Sequence, residues 1–79
     1  MVHIYQVQDD EFVPAESPEQ LVEYLWNTSM VPTDTKEEFR RRAAYWMEGL
    51  WGTTVRTDND AVFVEDMITA GAYIVVSKH

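Results

Sequence analysis

Carboxylates are the most abundant side chains in this sequence that could do chemistry. The chain contains 14 aspartates and glutamates against six lysines and arginines, which gives a formal net charge of -8. Such groups can bind metal ions, exchange protons as a general acid and base, or present negative charge to a basic partner. The two histidines, His3 and His79, are far apart in the sequence, and cysteine is absent. The spacing of the acids in the sequence therefore indicates which of these kinds of chemistry is possible.

The segment DNDAVFVED, residues 58–66, contains four potential metal ligands: Asp58, Asp60, Glu65 and Asp66. It lacks the glycine and the ligand spacing of a calcium loop, and acids at such positions can instead cap a helix. No glycine-rich phosphate loop or nucleophile motif occurs elsewhere in the chain. We therefore predict no metal site, no cofactor and no catalytic residue, and we expect a protein that is not an enzyme.

Negative charge is concentrated at the N-terminal end, because residues 1–35 contain seven acids and no lysine or arginine. Glu19 and Glu23 lie one turn apart on a predicted helix, where like charges cost a little stability. Trp26 projects beside them, either as a residue at the edge of the core or as an aromatic anchor for a partner. We predict a partner-binding face made of Asp9, Asp10, Glu11, Glu16, Glu19, Glu23 and Trp26. The alternative, that these acids only keep an exposed helix soluble, stays open.

Half of the cations lie in the segment FRRRAAYWMEGLW, residues 39–51. At 100° per residue, one sector of the helix forms a predicted core stripe, made of Phe39, Ala43, Trp46, Met47 and Leu50. Adjacent arginines fan out around the helix and cannot form one tight patch. Glu37 and Glu38 precede Arg41 and Arg42 by four residues, the favourable orientation for helical ion pairs. We interpret the arginines as mainly structural, on a solvated helix face.

The elements that position these residues are predicted from turn and capping residues. Strands are expected at 2–8, 11–15, 53–57 and 72–77, and helices from Ser17 to about Asn27, from Thr35 to about Leu50 and over 60–70. The fold class is therefore α+β, a small mixed sheet of three to four strands with three helices in the order β-β-α-α-β-α-β. The last strand is expected to be the most central, because it is the most apolar.

The length of 79 residues predicts a single domain that spans 1–79. Three tryptophans, four tyrosines and three phenylalanines are more aromatic surface than so small a core readily covers. We therefore predict a homodimer. The sequence shows neither a signal peptide nor an apolar run long enough to span a membrane, so we expect a cytoplasmic location.

Two segments, EFVPAESPEQLVEYL and TDNDAVFVEDMITAGAYIVV, make the chain resemble the small, acidic, cysteine-free proteins that bacteriophages encode to redirect or disarm their hosts. The resemblance implies a protein that works by binding. Some of these proteins imitate DNA by presenting carboxylates where a target expects phosphates. Their target classes include histone-like nucleoid proteins, RNA polymerase and CRISPR effectors. The arginine run departs from a uniformly acidic mimic and argues against mimicry over the whole surface.

Three functions are compatible with these features. The first is an inhibitor that occupies the basic DNA-binding surface of a host protein and does not itself bind nucleic acid. The second is a protein–protein interaction module anchored by an exposed tryptophan, Trp26 or Trp51. The third is a nucleic-acid binder that uses Arg40, Arg41, Arg42 and Arg56. We favour the first.

Overall fold

Three helices packed against an antiparallel sheet form the part of the chain that the computed structural model describes, residues 2–78, with side chains from Val2 to Val76. The elements in chain order are β1 (His3–Gln8), β2 (Glu11–Ala15), α1 (Pro18–Thr28), α2 (Lys36–Trp51), α3 (Asp60–Thr69) and β3 (Ile74–Lys78). The predicted α+β class and the three helices are confirmed, and α2 is the longest helix, as its long periodic segment indicates.

The sheet has the strand order β2-β1-β3, and both pairings are antiparallel. The expectation of a mixed sheet is therefore wrong, and so is the central place predicted for the last strand, because β1 is central and β3 lies at an edge. The predicted strand at 53–57 is also absent from the described residues. There the backbone N–H of Arg56 donates to the Asp66 carboxylate at 2.9 Å, and the Val55 side chain is buried. This segment is fixed by side-chain contacts instead of a strand partner.

Helix starts follow the capping residues of the sequence. The hydroxyl oxygens of Ser17 and Thr35 accept the backbone N–H groups of the residues three positions later, as predicted. At α3 the cap is Asn59, directly before the predicted start of the helix at residue 60. Each cap satisfies a backbone donor that the first helical turn leaves without a partner.

Phe63 lies at the centre of the core and is fully buried. Its ring meets those of Phe39 and Tyr73 edge-on, with centroids 6.5 and 6.4 Å away, an arrangement that aromatic quadrupoles favour. The other buried apolar residues come from the sheet, all three helices and the 52–59 connection: Tyr5, Val13, Ala15, Leu21, Val22, Met47, Val55, Val64 and Met67. The core is thus built between one face of the sheet and the helices.

The predicted core stripe of α2 is only partly correct. Met47 is buried, but Trp46 is 56 % exposed and Leu50 is 70 % exposed, whereas Arg40 is 8 % exposed. The buried face is turned by roughly 60° from the predicted one, at 100° per residue. On this face of α2, Arg40 forms an ion pair with Asp60 at the start of α3, and Ala44 and Met47 pack in or against the core. Within residues 2–78, no helix is long and apolar enough to cross a membrane.

Candidate functional site

The first group of predicted site residues lies at the tip of the β1–β2 hairpin. Asp9 and Asp10 form the two-residue turn and are exposed, and Glu11 begins β2 opposite Gln8. The Gln6 side-chain amide donates to the Asp9 carbonyl at 3.1 Å, which helps to hold the turn. These three carboxylates, Asp9, Asp10 and Glu11, are the hairpin acids.

The second group lies around the N-terminal half of α1. Glu16 precedes the cap, Glu19 is in the first turn and Glu23 is one turn later, and all three are exposed. The backbone N–H of Glu16 donates to the Gln20 side-chain oxygen at 2.7 Å, so the chain enters the helix in a defined direction. An acid in the first turn also interacts favourably with the helix dipole. Glu16, Glu19 and Glu23 are the helix acids, and the two groups together are the acidic surface.

The structure places these two groups at opposite ends of β2 instead of side by side. Five residues of strand separate the turn from the helix start, so Glu11 and Ala15 are about 14 Å apart at 3.4 Å per residue. Helix α1 then runs back along the sheet, because its C-terminal residues Leu25 and Thr28 line a cleft together with Glu11. The hairpin acids are therefore next to the end of α1 and the helix acids are next to its start.

Trp26 is half-buried on the side of α1 that also carries Glu19 and Glu23. Its indole N–H donates to the backbone carbonyl of Thr33 at 3.0 Å, across the connection between α1 and α2. This hydrogen bond therefore stabilises the connection between α1 and α2. Of the two alternatives considered for this residue, the geometry is that of a residue at the edge of the core.

The salt bridges among the described side chains involve only residues from 36 onwards. Among the side chains of residues 2–76, every ion pair joins a cation of the 36–56 region to one of four acids: Glu37, Asp60, Glu65 and Asp66. None of the seven acids before residue 36 takes part. The acidic surface therefore carries its charge without a compensating cation from the side chains of residues 2–76.

The arginines have distinct places in the fold. Arg40 is buried and donates to the Asp60 carboxylate at 2.5 Å and to the Thr57 carbonyl at 3.3 Å. Lys36 reaches the same carboxylate at 3.1 Å. The interpretation of a solvated helix face is thus wrong for Arg40, although its structural role is confirmed.

The remaining described arginines are exposed. Arg41 pairs with Glu37 as predicted, whereas the predicted pair of Arg42 with Glu38 is not among the ion pairs of residues 2–76. Arg56 makes two hydrogen bonds to Asp66, at 2.9 and 3.0 Å. These bonds hold the pKa of Asp66 below its usual value.

Sequence reasoning missed the buried role of Asp60 and the exposure of Trp46. The sequence did contain a sign that Arg40 has a buried partner. Arg40, Ala44 and Met47 recur at helical spacing and mark a second face of α2. Among the described residues, no three acids or histidines converge as metal ligands. The Nδ1 atom of His3 is buried without a hydrogen-bond partner there, and His79 lies outside the described residues.

Comparison of the chain with known protein families, with curated proteins and with solved structures finds no significant match.

Proposed function

We propose that this chain is an acidic binding protein that inhibits a nucleic-acid-binding protein of a host cell, in the host cytoplasm, by occupying its basic DNA-binding surface. One observation carries the proposal: the six acids of the acidic surface lie within residues 9–23 and none forms a salt bridge with a side chain of residues 2–76, whereas four of the other eight acids are paired. Carboxylates that are exposed and unpaired remain available to lysines and arginines of a partner.

The spacing of the acidic surface suits a partner that binds DNA. DNA presents one charge per 3.4 Å of axis on each strand, so the roughly 14 Å length of β2 corresponds to about four phosphate steps. The two groups of acids at its ends would meet cations at separated points of a DNA-binding groove. Because a folded chain holds these groups in place, less conformational entropy is lost on binding. The candidate target classes are histone-like nucleoid proteins, RNA polymerase and CRISPR effectors.

The test is a competition between this protein and DNA for the same target. Immobilised protein first captures the target from a bacterial lysate at low salt, and the purified target is then bound to a fluorescent DNA duplex. We expect the wild-type chain to displace the duplex, with a midpoint that rises steeply with salt. The double variant Glu19→Lys/Glu23→Lys should lose this displacement and should stay folded, because both side chains are exposed.

The matched control is Glu48→Lys/Asp58→Lys, which reverses two exposed acids outside the acidic surface and changes the net charge equally. It should retain displacement within a few-fold. An equal loss in both double variants would mean that total charge matters and the surface does not. Full displacement by the Glu19/Glu23 variant would reject the acidic surface as the binding site.

The exposed tryptophans support a second candidate, an interaction module without mimicry. Trp46 and Trp51 are each 56 % exposed, and Leu50 between them is exposed as well. Aromatic side chains are enriched at binding hot spots. A partner bound in this way should depend only weakly on salt, and Trp51→Ser should release it, whereas the same change has little effect on a partner held by the acidic surface.

Direct nucleic-acid binding is less well supported, because Arg40, Arg41 and Arg56 each pair with an acid of the same chain. A gel shift with generic duplex DNA tests it, and we expect no shift at low salt.

Homodimer formation stays a proposal of its own. It is supported by the exposed large apolar side chains, among them Phe12, Leu50 and Ile74, and light scattering at high micromolar concentration tests it.

A further inference from the structure

An open cleft of about 360 Å³ lies between the tip of the hairpin, the end of α1 and the start of α2. Its walls are mostly apolar and include Val7, Leu25, Val31 and Phe39, with Tyr73 also lining it. Val31 is 49 % exposed, and Met30 beside it in the lining is 98 % exposed. A cleft of this size and lining is suited to one apolar side chain of a partner.

A second cleft of about 190 Å³ adjoins the first, because both are lined by Ser29, Val31 and Phe39. The second cleft continues along α2 past Arg42 to the exposed face of Trp46, so this end of the groove carries a positive charge. The two clefts form one groove, which we call the α1–α2 groove. The length of this groove therefore suits an extended or helical peptide segment better than a compact small molecule.

The charge at one end of this groove specifies the partner. Glu11 lines the first cleft, and its negative charge adds to the burial that raises the pKa of the Tyr73 hydroxyl. Asp9 and Asp10 precede Glu11 in the hairpin turn. No side chain of residues 2–76 forms a salt bridge with any of these three acids. At this end, an apolar cleft with the unpaired carboxylate of Glu11 in its wall is complementary to an apolar side chain that is followed by cations.

We propose that the α1–α2 groove binds a lysine- or arginine-rich segment of a protein partner, with one apolar side chain of that segment inserted between Val31 and Phe39. The flanking cations contact the hairpin acids. This inference rests on the proposed function, since the segment belongs to the same basic partner. It adds an apolar anchor, which distinguishes a basic protein segment from cations in general and gives the hairpin acids a role that the helix acids do not have.

The test uses two synthetic peptides and needs no identified target. One is a short lysine-rich peptide with a single central leucine, and the other has serine in place of that leucine. Calorimetry measures both dissociation constants, and amide chemical shifts locate the site. We expect the leucine peptide to bind about 10- to 100-fold more tightly, as burial of one aliphatic side chain implies. It should also shift the amides of Val31 and Phe39.

Val31→Glu places a charge in the groove and should remove the preference for leucine. Tyr45→Glu is the matched control, because Tyr45 is a 76 % exposed apolar residue that lines neither cleft; it should keep the preference. Circular dichroism checks that both variants are folded. Glu11→Gln should weaken both peptides by a similar factor and leave their ratio unchanged.

Different outcomes overturn different proposals. Equal affinity for the two peptides would reject the apolar anchor and leave the proposed function intact, provided that Glu19→Lys/Glu23→Lys still weakens both. Failure of both peptides to bind at low salt would reject the groove and would also count against a basic partner. Sedimentation that shows a dimer broken by Val31→Glu but not by Tyr45→Glu would identify a second copy as the occupant and overturn the inference.

Discussion

The buried ion pair between Arg40 and Asp60 makes a sharp prediction about stability. Both side chains are almost fully buried, and their ends are 2.5 Å apart. Lys36 also contacts Asp60, at 3.1 Å, but it is partly exposed. Replacement of Arg40 by methionine keeps most of the apolar stem and removes the guanidinium. Asp60 then retains only the weaker partner, and the Thr57 carbonyl loses a donor.

The expected cost follows from the burial of Asp60. Removal of one member of a buried pair costs about 3–5 kcal/mol, because the other charge is left uncompensated. Since Lys36 remains, we expect the lower end, about 3 kcal/mol. The unfolding entropy of a domain of this length is roughly 0.17 kcal/mol/K, which converts this loss into a fall in melting temperature of about 18 °C. A domain of this size has a total stability of about 4–12 kcal/mol, so the variant should be marginally folded.

Arg41→Met is the matched control, since it makes the same substitution at the next position of the same helix. Its exposed pair with Glu37 should contribute only about 0.5 kcal/mol or less. Urea unfolding followed by circular dichroism measures both variants, and Asp60→Asn in the Arg40→Met background should recover about 1 kcal/mol or more. Equal midpoints for Arg40→Met and Arg41→Met would refute the reasoning, because they would mean that the buried pair stabilises no more than an exposed one.

Four further substitutions test other parts of the fold. Trp46→Ala should cost only about 1 kcal/mol in urea unfolding, because a half-exposed ring contributes about half of a buried side chain; a loss of 3 kcal/mol or more would mean that it is buried. Gly52→Ala should destabilise by about 1 kcal/mol, because φ is 66° there, whereas Gly49→Ala inside α2 should stabilise by about 0.5 kcal/mol; equal thermal shifts would contradict this. Carboxyl NMR titration should give Asp66 a pKa below the ordinary value of about 3.9, and Arg56→Gln should restore an ordinary titration. The stability that comes from the bonds between Asp66 and Arg56 is therefore full above a pH of about 3.9 and is lost as the pH falls through the lower pKa.

Local features were predictable from the sequence because their causes lie within a few residues. Ser17 and Thr35 cap their helices through backbone groups three positions away, and the Glu37–Arg41 pair follows from helical spacing alone. Likewise the hairpin turn at Asp9 and Asp10 follows from turn residues between two strand-like runs. The α+β class could therefore be predicted from the individual elements, but the arrangement of the strands in the sheet could not.

Apart from the predicted Glu38–Arg42 pair, which is not among the ion pairs of residues 2–76, the errors concern partners that are distant in the sequence. Helical periodicity defines the faces of α2 but does not say which of two adjacent faces meets the core, and the choice depends on Asp60, twenty residues after Arg40. Strand hydrophobicity likewise did not reveal that β3 is an edge strand, because the order of a sheet depends on which strands pair. The distance between the hairpin acids and the helix acids depends on the direction of β2, which composition does not encode.

The distribution of ion pairs bears on what the acidic surface is for. Where an acid is buried, as at Asp60, the chain supplies two cations, and at Asp66 it supplies a guanidinium with two hydrogen bonds. Folding therefore accounts for Asp60 and Asp66, whereas Glu38, Glu48 and Asp58 form no ion pair among the side chains of residues 2–76. Glu19 and Glu23 have no such partner among residues 2–76, and their repulsion costs only a few tenths of a kcal/mol, small beside a stability of about 4–12 kcal/mol. The fold tolerates this cost without needing it, and this supports the proposal that the N-terminal acids serve to bind a cationic surface of another molecule.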